Sequence, residues 1–113
     1  MRFDNRNCLV TGGAGFIGST LVEELVRLGA NVTVIDSLVT GSQNLQLIKN
    51  LGVKFVKADI SDLSSIEGCF EGVEIVFHLA AMNRAQKSID DPIRANTTNV
   101  NGTLNCLKLA LDC

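Results

Sequence analysis

The run Val10-Thr11-Gly12-Gly13-Ala14-Gly15-Phe16-Ile17-Gly18-Ser19 constrains this chain more than any other segment. It joins an apolar stretch, Cys8-Leu9-Val10, to a helical pattern through regularly spaced glycines. Gly12 permits a tight turn out of a strand, Gly15 lets backbone approach a pyrophosphate with no Cβ in the way, and Gly18 brings the helix close to a sheet. Ile17, Leu21, Leu25 and Leu28 recur at helical spacing behind the glycines, and Gly29 supplies a stop. Phe16 and Ile17 fall where the first helical amides lack intrahelical partners and the helix dipole places partial positive charge. A diphosphate is the natural guest of such a turn.

A second apolar run, Val32-Thr33-Val34-Ile35, ends in Asp36, eighteen residues past Gly18. That is near the spacing at which dinucleotide-binding folds carry an acid for the ribose hydroxyls. A carboxylate there accepts two hydroxyl hydrogen bonds and repels a 2′-phosphate, and Ser37-Leu38-Val39 offers no cation to offset the repulsion. NAD is therefore favoured over NADP. The plainer alternative is that Asp36 ends a strand and starts a turn.

Composition narrows the remaining classes. A chain of 113 residues, 46% hydrophobic, fits one globular domain able to bury about two thirds of its unfolded surface. Ten Lys plus Arg against twelve Asp plus Glu argue against a nucleic-acid surface. No apolar run reaches the length of a membrane span, and Met1-Arg2-Phe3-Asp4-Asn5 is too polar for a secretory signal, so a cytoplasmic location is expected. Cys8, Cys69, Cys106 and Cys113 are scattered and His78 is the single histidine, so no metal site is expected. The cysteines read as small buried hydrophobes, with Cys113 open to adventitious pairing.

Strand and helix alternate in units of about thirty residues, the rhythm of βαβ crossovers. Strands are expected near 7 to 11, 31 to 35, 53 to 57 and 73 to 79, and helices near 16 to 28, 42 to 50, 62 to 68 and 92 to 111. The second half of the fourth strand reads as buried on both faces. The fold class is α/β: a truncated Rossmann fold, a four-stranded parallel sheet in the order 3-2-1-4 with helices on both faces. A dinucleotide would cross the crevice between strands 1 and 4. Asp59 lies where a carboxylate could accept from an adenine amino group; alternatively Asp59 or Ser61 caps the next helix. The last helix is expected to start at Asp91-Pro92, with Val100, Leu104, Leu107 and Leu111 on one apolar face. Gly102 within it points to close packing against a neighbour, and Asn96, Asn99 and Asn101 point to uses for their amides other than helix formation.

Four segments together resemble a family. Thr11-Gly12-Gly13-Ala14-Gly15-Phe16-Ile17-Gly18 is similar to T-G-G-x-G-F-I-G, Asp36-Ser37-Leu38-Val39-Thr40-Gly41 to D-x-L-x-T-G, His78-Leu79-Ala80-Ala81 to H-L-A-A, and Asn99-Val100-Asn101-Gly102-Thr103 to N-V-x-G-T. In this order they resemble the extended short-chain dehydrogenase/reductases, specifically NAD-dependent nucleotide-sugar epimerases and dehydratases of the UDP-glucose 4-epimerase type. The resemblance runs over the whole chain. It implies that the backbone of Gly15, Phe16 and Ile17 holds the pyrophosphate, Asp36 the adenine ribose, and Asp59 and Ile60 the adenine edge. It further implies that Ala80 and Ala81 let the cofactor lie against the fourth strand, that Asn99 braces that strand end, and that His78 packs beneath the site rather than doing chemistry.

The family's chemistry depends on a Tyr-x-x-x-Lys pair with a nearby Ser or Thr. This sequence has no tyrosine. The expectation is therefore an N-terminal NAD-binding half-domain over 1–113, without catalytic residues or a sugar-binding portion, able to hold the AMP part of NAD but inactive alone. One chain of a split enzyme and a non-catalytic interaction domain remain alternatives. An uncovered outer edge on the fourth strand, beside apolar surface, implies self-association.

Overall fold

The computed structural model describes residues 3–38, 43–80, 93 and 100–112. The chain runs β1 (Asn7–Thr11), α1 (Phe16–Arg27), β2 (Asn31–Asp36), α2 (Leu45–Asn50), β3 (Lys54–Lys57), α3 (Leu63–Ile66), a 3₁₀ turn (Glu67–Phe70), β4 (Ile75–His78) and α4 (Gly102–Asp112). The four strands are parallel in the order β3-β2-β1-β4, with Thr11 opposite Ile35 on one side and His78 on the other. The expected α/β class and strand order are both present.

Alternation along β1 builds a core on each face. Cys8 and Val10 join Val22, Leu25, Val32, Val34 and Ile48 under α1 and α2. Leu9, with Ile35 from β2, meets Ile60, Ile66, Phe70, Cys106 and Leu109 beneath α3 and α4. Helices therefore cover both faces. The end of α1 is set by Gly29 at φ 90°, whose N–H bonds to Val26 O while the Ala30 N–H bonds to Leu25 O. A left-handed residue just past the last turn satisfies carbonyls that the helix leaves open. No helix among the described residues is long and apolar enough to cross a membrane.

Three expectations change in detail. The fourth strand is shorter than expected, and each of its four residues is half-buried rather than enclosed on both faces. Among the described residues it is the last strand of the sheet, flanked by β1 alone. The helix expected at 62 to 68 breaks into one turn of α3 and a 3₁₀ turn. The last helix is seen from Gly102 onward; its expected start at Asp91-Pro92, together with Asn96 and Asn99, lies outside the described residues, as does Cys113.

The apolar face of α4 is the more informative result. Val100, Leu104, Leu107 and Leu111 are 47%, 59%, 56% and 86% exposed, whereas Gly102, Cys106 and Leu109 are buried. Small residues at 102 and 106 let the helix backbone come close to the layer below. A Cβ on Gly102 would lie 2.6 Å from both Cγ1 and Cδ1 of Ile60, so the close packing expected of this glycine is with Ile60. Asn105 secures the same contact by donating from Nδ2 to Ile60 O at 2.9 Å.

Gly102→Ala should therefore destabilise the protein by about 1–3 kcal/mol through overpacking, outweighing the gain of about 1 kcal/mol in helix propensity. Urea denaturation of the single and double variants measures this, and the penalty should shrink in an Ile60→Ala background, where both clashing atoms are gone.

Candidate functional site

The site begins at the carboxyl end of β1, where the chain must leave the sheet and start α1 within four residues. Gly12 makes the turn at φ 75°, a conformation that costs other residues a steric penalty, and its N–H donates to Ile35 O at 2.8 Å. It also abuts β4, since a Cβ there would be 2.8 Å from Ala80 N and 2.9 Å from Leu79 C. Gly18 lies over the same turn. A Cβ on it would sit 2.1 Å from the Gly12 carbonyl oxygen, which is backbone and has no room to yield. The closeness expected of Gly18 is thus to the turn itself, and Gly13, which the motif reading did not single out, supplies the contact with the sheet. Its Cβ would meet Val34 Cγ1 at 2.5 Å.

Gly15 caps α1 without any side-chain bond. The amides of Phe16, Ile17 and Gly18 find no acceptor among the described residues, and the side chains of Phe16 and Ile17 are 85% and 72% exposed. Open donors at the positive end of a twelve-residue helix suit an anion. The backbone here, not any side chain, offers the hydrogen bonds.

Asp36 closes the other side of this cradle. Its Oδ2 accepts from Ala14 N at 2.9 Å and its Oδ1 from Leu38 N at 2.7 Å, with Leu38 held at a left-handed φ of 63°. The residue therefore does more than end β2: it ties the glycine turn to the tip of the neighbouring strand. An ionised carboxylate offers about four lone-pair directions, so two accepted amides leave capacity for two hydroxyls.

Thr11 is a part of the site that the motif reading passed over. Completely buried, it accepts through Oγ1 from Leu79 N at 3.1 Å and Ala80 N at 3.2 Å, and lies 2.7 Å from His78 Nδ1. His78 Nε2 is 2.9 Å from Thr103 Oγ1 in α4. His78 thus links β1 and α4 from the end of β4, and burial pushes its pKa below the ordinary value. Its sequence signal was only its place in the H-L-A-A segment; that Thr11 and Thr103 are its partners depends on the crossover. Burial likewise raises the Cys106 thiol, to about 11.

The remaining candidates divide. Ala80 is half-buried against the glycine turn. Asp59 makes a local turn, its Oδ1 accepting from Ser61 N at 2.9 Å and from Ser61 Oγ at 2.7 Å. Neither Asp59 nor Ser61 is the helix cap, since α3 is preceded directly by Asp62. Ile60 sends its side chain into the core and its carbonyl to Asn105, so any ligand contact there is made by main chain. Ala81 and Asn99 lie outside the described residues.

Comparison with known proteins agrees with this geometry. Residues 8–113 match the model of the NAD dependent epimerase/dehydratase family. UDP-glucose 4-epimerase of Mycolicibacterium smegmatis is 44% identical over 106 residues, covering 90% of this chain and 34% of that protein. The structure of UDP-glucose 4-epimerase from Thermotoga maritima with UDP-glucose superimposes with a TM-score of 0.86 at 39% identity, over 94% of this chain and 34% of that one. That of UDP-glucose 4-epimerase from Thermus thermophilus in complex with NAD does so with a TM-score of 0.82 at 37% identity, over 94% and 34%. The chain spans about a third of the length of the curated relatives it matches.

Because Asp36 holds Ala14 N and Leu38 N, Asp36→Ala should cost about 1–3 kcal/mol of stability with no ligand present. Urea denaturation of the apo-protein checks this; an acid serving only a ligand's ribose would leave apo-stability unchanged.

Proposed function

This chain belongs to the NAD dependent epimerase/dehydratase family, and we propose that its crevice between β1 and β4 binds NAD through the adenosine diphosphate half. The observation that carries this reading is the bond from Ala14 N to Asp36 Oδ2, which makes the open amides of the glycine turn and the ribose acid one unit. Amides at Phe16 and Ile17 hold the pyrophosphate beside the Cβ-free backbone of Gly15, whose own N–H donates to Gly12 O, with Gly12 and Gly18 leaving the space. Asp36 accepts the ribose hydroxyls and Asp59 the adenine amino group, with the main chain of Ile60 beside it. Ala80 and Ala81 line the wall toward the nicotinamide, and Asn99 braces it.

When bound, NAD supplies a reversible hydride acceptor. What this chain's own residues contribute is orientation and an anion seat. Residues 1–113 act as the N-terminal cofactor-binding half-domain of a nucleotide-sugar epimerase or dehydratase resembling UDP-glucose 4-epimerase, in the cytoplasm. With no tyrosine in its 113 residues, this chain alone does not turn over a sugar nucleotide.

Calorimetry tests the cofactor assignment. NAD should bind with NADP weaker by about ten-fold or more, because a 2′-phosphate beside Asp36 meets like charge. Equal affinities would remove Asp36 from the ribose site.

Self-association belongs to the same reading. The outer side of β4 and α4 frame a groove of about 350 Å³ whose lining includes Val76, His78, Cys106 and Leu107, next to the exposed Leu104 and Leu111. Apolar surface beside a strand edge is a surface for another copy of the chain. Light scattering over a concentration series should show species larger than the monomer at high micromolar protein, reduced by Leu104→Glu with Leu107→Glu; a monomer throughout would remove this part.

A further inference from the structure

The groups around His78 favour one arrangement of protons. A threonine hydroxyl has two lone pairs and one hydrogen. The Thr11 Oγ1 lone pairs receive Leu79 N–H, shared with the Thr11 carbonyl, and Ala80 N–H. Its hydrogen is then left for His78 Nδ1 at 2.7 Å, so Nδ1 is an acceptor, the ring is neutral, and Nε2 carries the proton that it donates to Thr103 Oγ1 at 2.9 Å.

We propose that His78 is a positioning residue whose neutral Nε2–H form joins the carboxyl ends of β1 and β4 to the first turn of α4, so that its protonation loosens the floor of the dinucleotide crevice. The floor is the contact of Gly12 with Leu79 and Ala80, which leaves no room for even a Cβ. A proton on Nδ1 turns that atom into a third donor aimed at an oxygen that has two lone pairs. Thr11 Oγ1 must then release Ala80 N–H or its share of Leu79 N–H, which also bonds to Thr11 O at 3.0 Å, in the segment that presses against the glycine turn. Among the described residues, the titratable groups lining the groove with His78 are Cys106 of α4 and Glu74 at the root of β4. Glu74 is paired with Arg6 at 2.7 Å, and the raised Cys106 thiol stays neutral through the relevant range. Asn7–Thr11 of β1 contains no charged residue. No neighbour described here compensates an imidazolium.

The direction with pH follows. Burial lowers the His78 pKa, so the contribution of the neutral ring to stability is fully present above the unfolded value of about 6.5 and is lost as pH falls through that value toward the folded one. The effect on NAD rests on the cofactor reading above; the coupling between His78 and the floor does not.

His78 is the single histidine of the chain, so its ring nitrogens are read without ambiguity by NMR of the unmodified protein. At about pH 7.5 the nitrogen shifts should report the neutral Nε2–H tautomer. On acidification the ring and the amides of Gly12, Leu79 and Ala80 should titrate together, and NAD affinity should fall by about five-fold or more over the same range. His78→Gln should flatten that pH profile, and Thr11→Ser should preserve it while Thr11→Val abolishes it. An Nδ1–H tautomer, a ring that titrates while those amides stay still, or NAD binding that does not vary across the transition would overturn the proposal. Absence of NAD binding at every pH, with the coupled shifts intact, would refute the cofactor assignment and uphold the coupling.

Discussion

A steric fact at Gly18 governs the site: the first turn of α1 rests on the carbonyl of Gly12 with space for a hydrogen and nothing larger. That contact directs α1 across the end of β1 and aims its unpaired amides outward. Were the helix a methyl group further away, the turn would open and the amides would no longer converge. Gly12 continues the same logic on its other side, where β4 ends against it. Three backbones therefore meet at one point with no side chain between them, and the crevice is the space left above.

What holds this arrangement is mostly polar and mostly main chain. Asp36 bonds to the turn from β2, Thr11 bonds to the β4 end from β1, and His78 passes the connection to α4. Each bond contributes about 0.5–1.5 kcal/mol, or about 1.5–3 where a charged group takes part, but loss of the Asp36 carboxylate or the Thr11 hydroxyl leaves the Ala14 or Ala80 N–H without its acceptor among the described residues. The two apolar layers supply the bulk of the stability. The polar bonds decide the relative placement of the strand ends, on which recognition of a ligand depends.

The outer side of α4 shows how far pattern reading goes. Leucines at 104, 107 and 111 share one face, yet it is the face away from the sheet. The buried face is carried by Gly102, Cys106 and Leu109, because only small residues at the first two positions let the helix reach Ile60. A periodicity of large apolar residues identifies a helix and its stripes; which stripe is buried depends on what lies beneath. Gly102, read as a sign of close packing, carried that information, and the identity of its neighbour did not follow from it. Asp59 and Ile60 behave in the same way: their place after β3 was legible, whereas the turn through Ser61 and the core position of the Ile60 side chain were not.

By itself the sequence determined the local chemistry: three spaced glycines, an acid at the end of the second apolar run, and βαβ alternation whose right-handed crossovers, with the usual doubly wound topology, point to the order 3-2-1-4. These are properties of segments, governed by sterics and hydrogen-bonding groups within about thirty residues of one another. The tertiary structure alone decided that Asp36 bonds to Ala14 N, that Thr11 receives the amides of Leu79 and Ala80, and that Thr103 completes the bonds of His78. Those pairs lie 22 to 69 positions apart, and nothing in either member of a pair specifies the other until the parallel register brings the strand ends side by side.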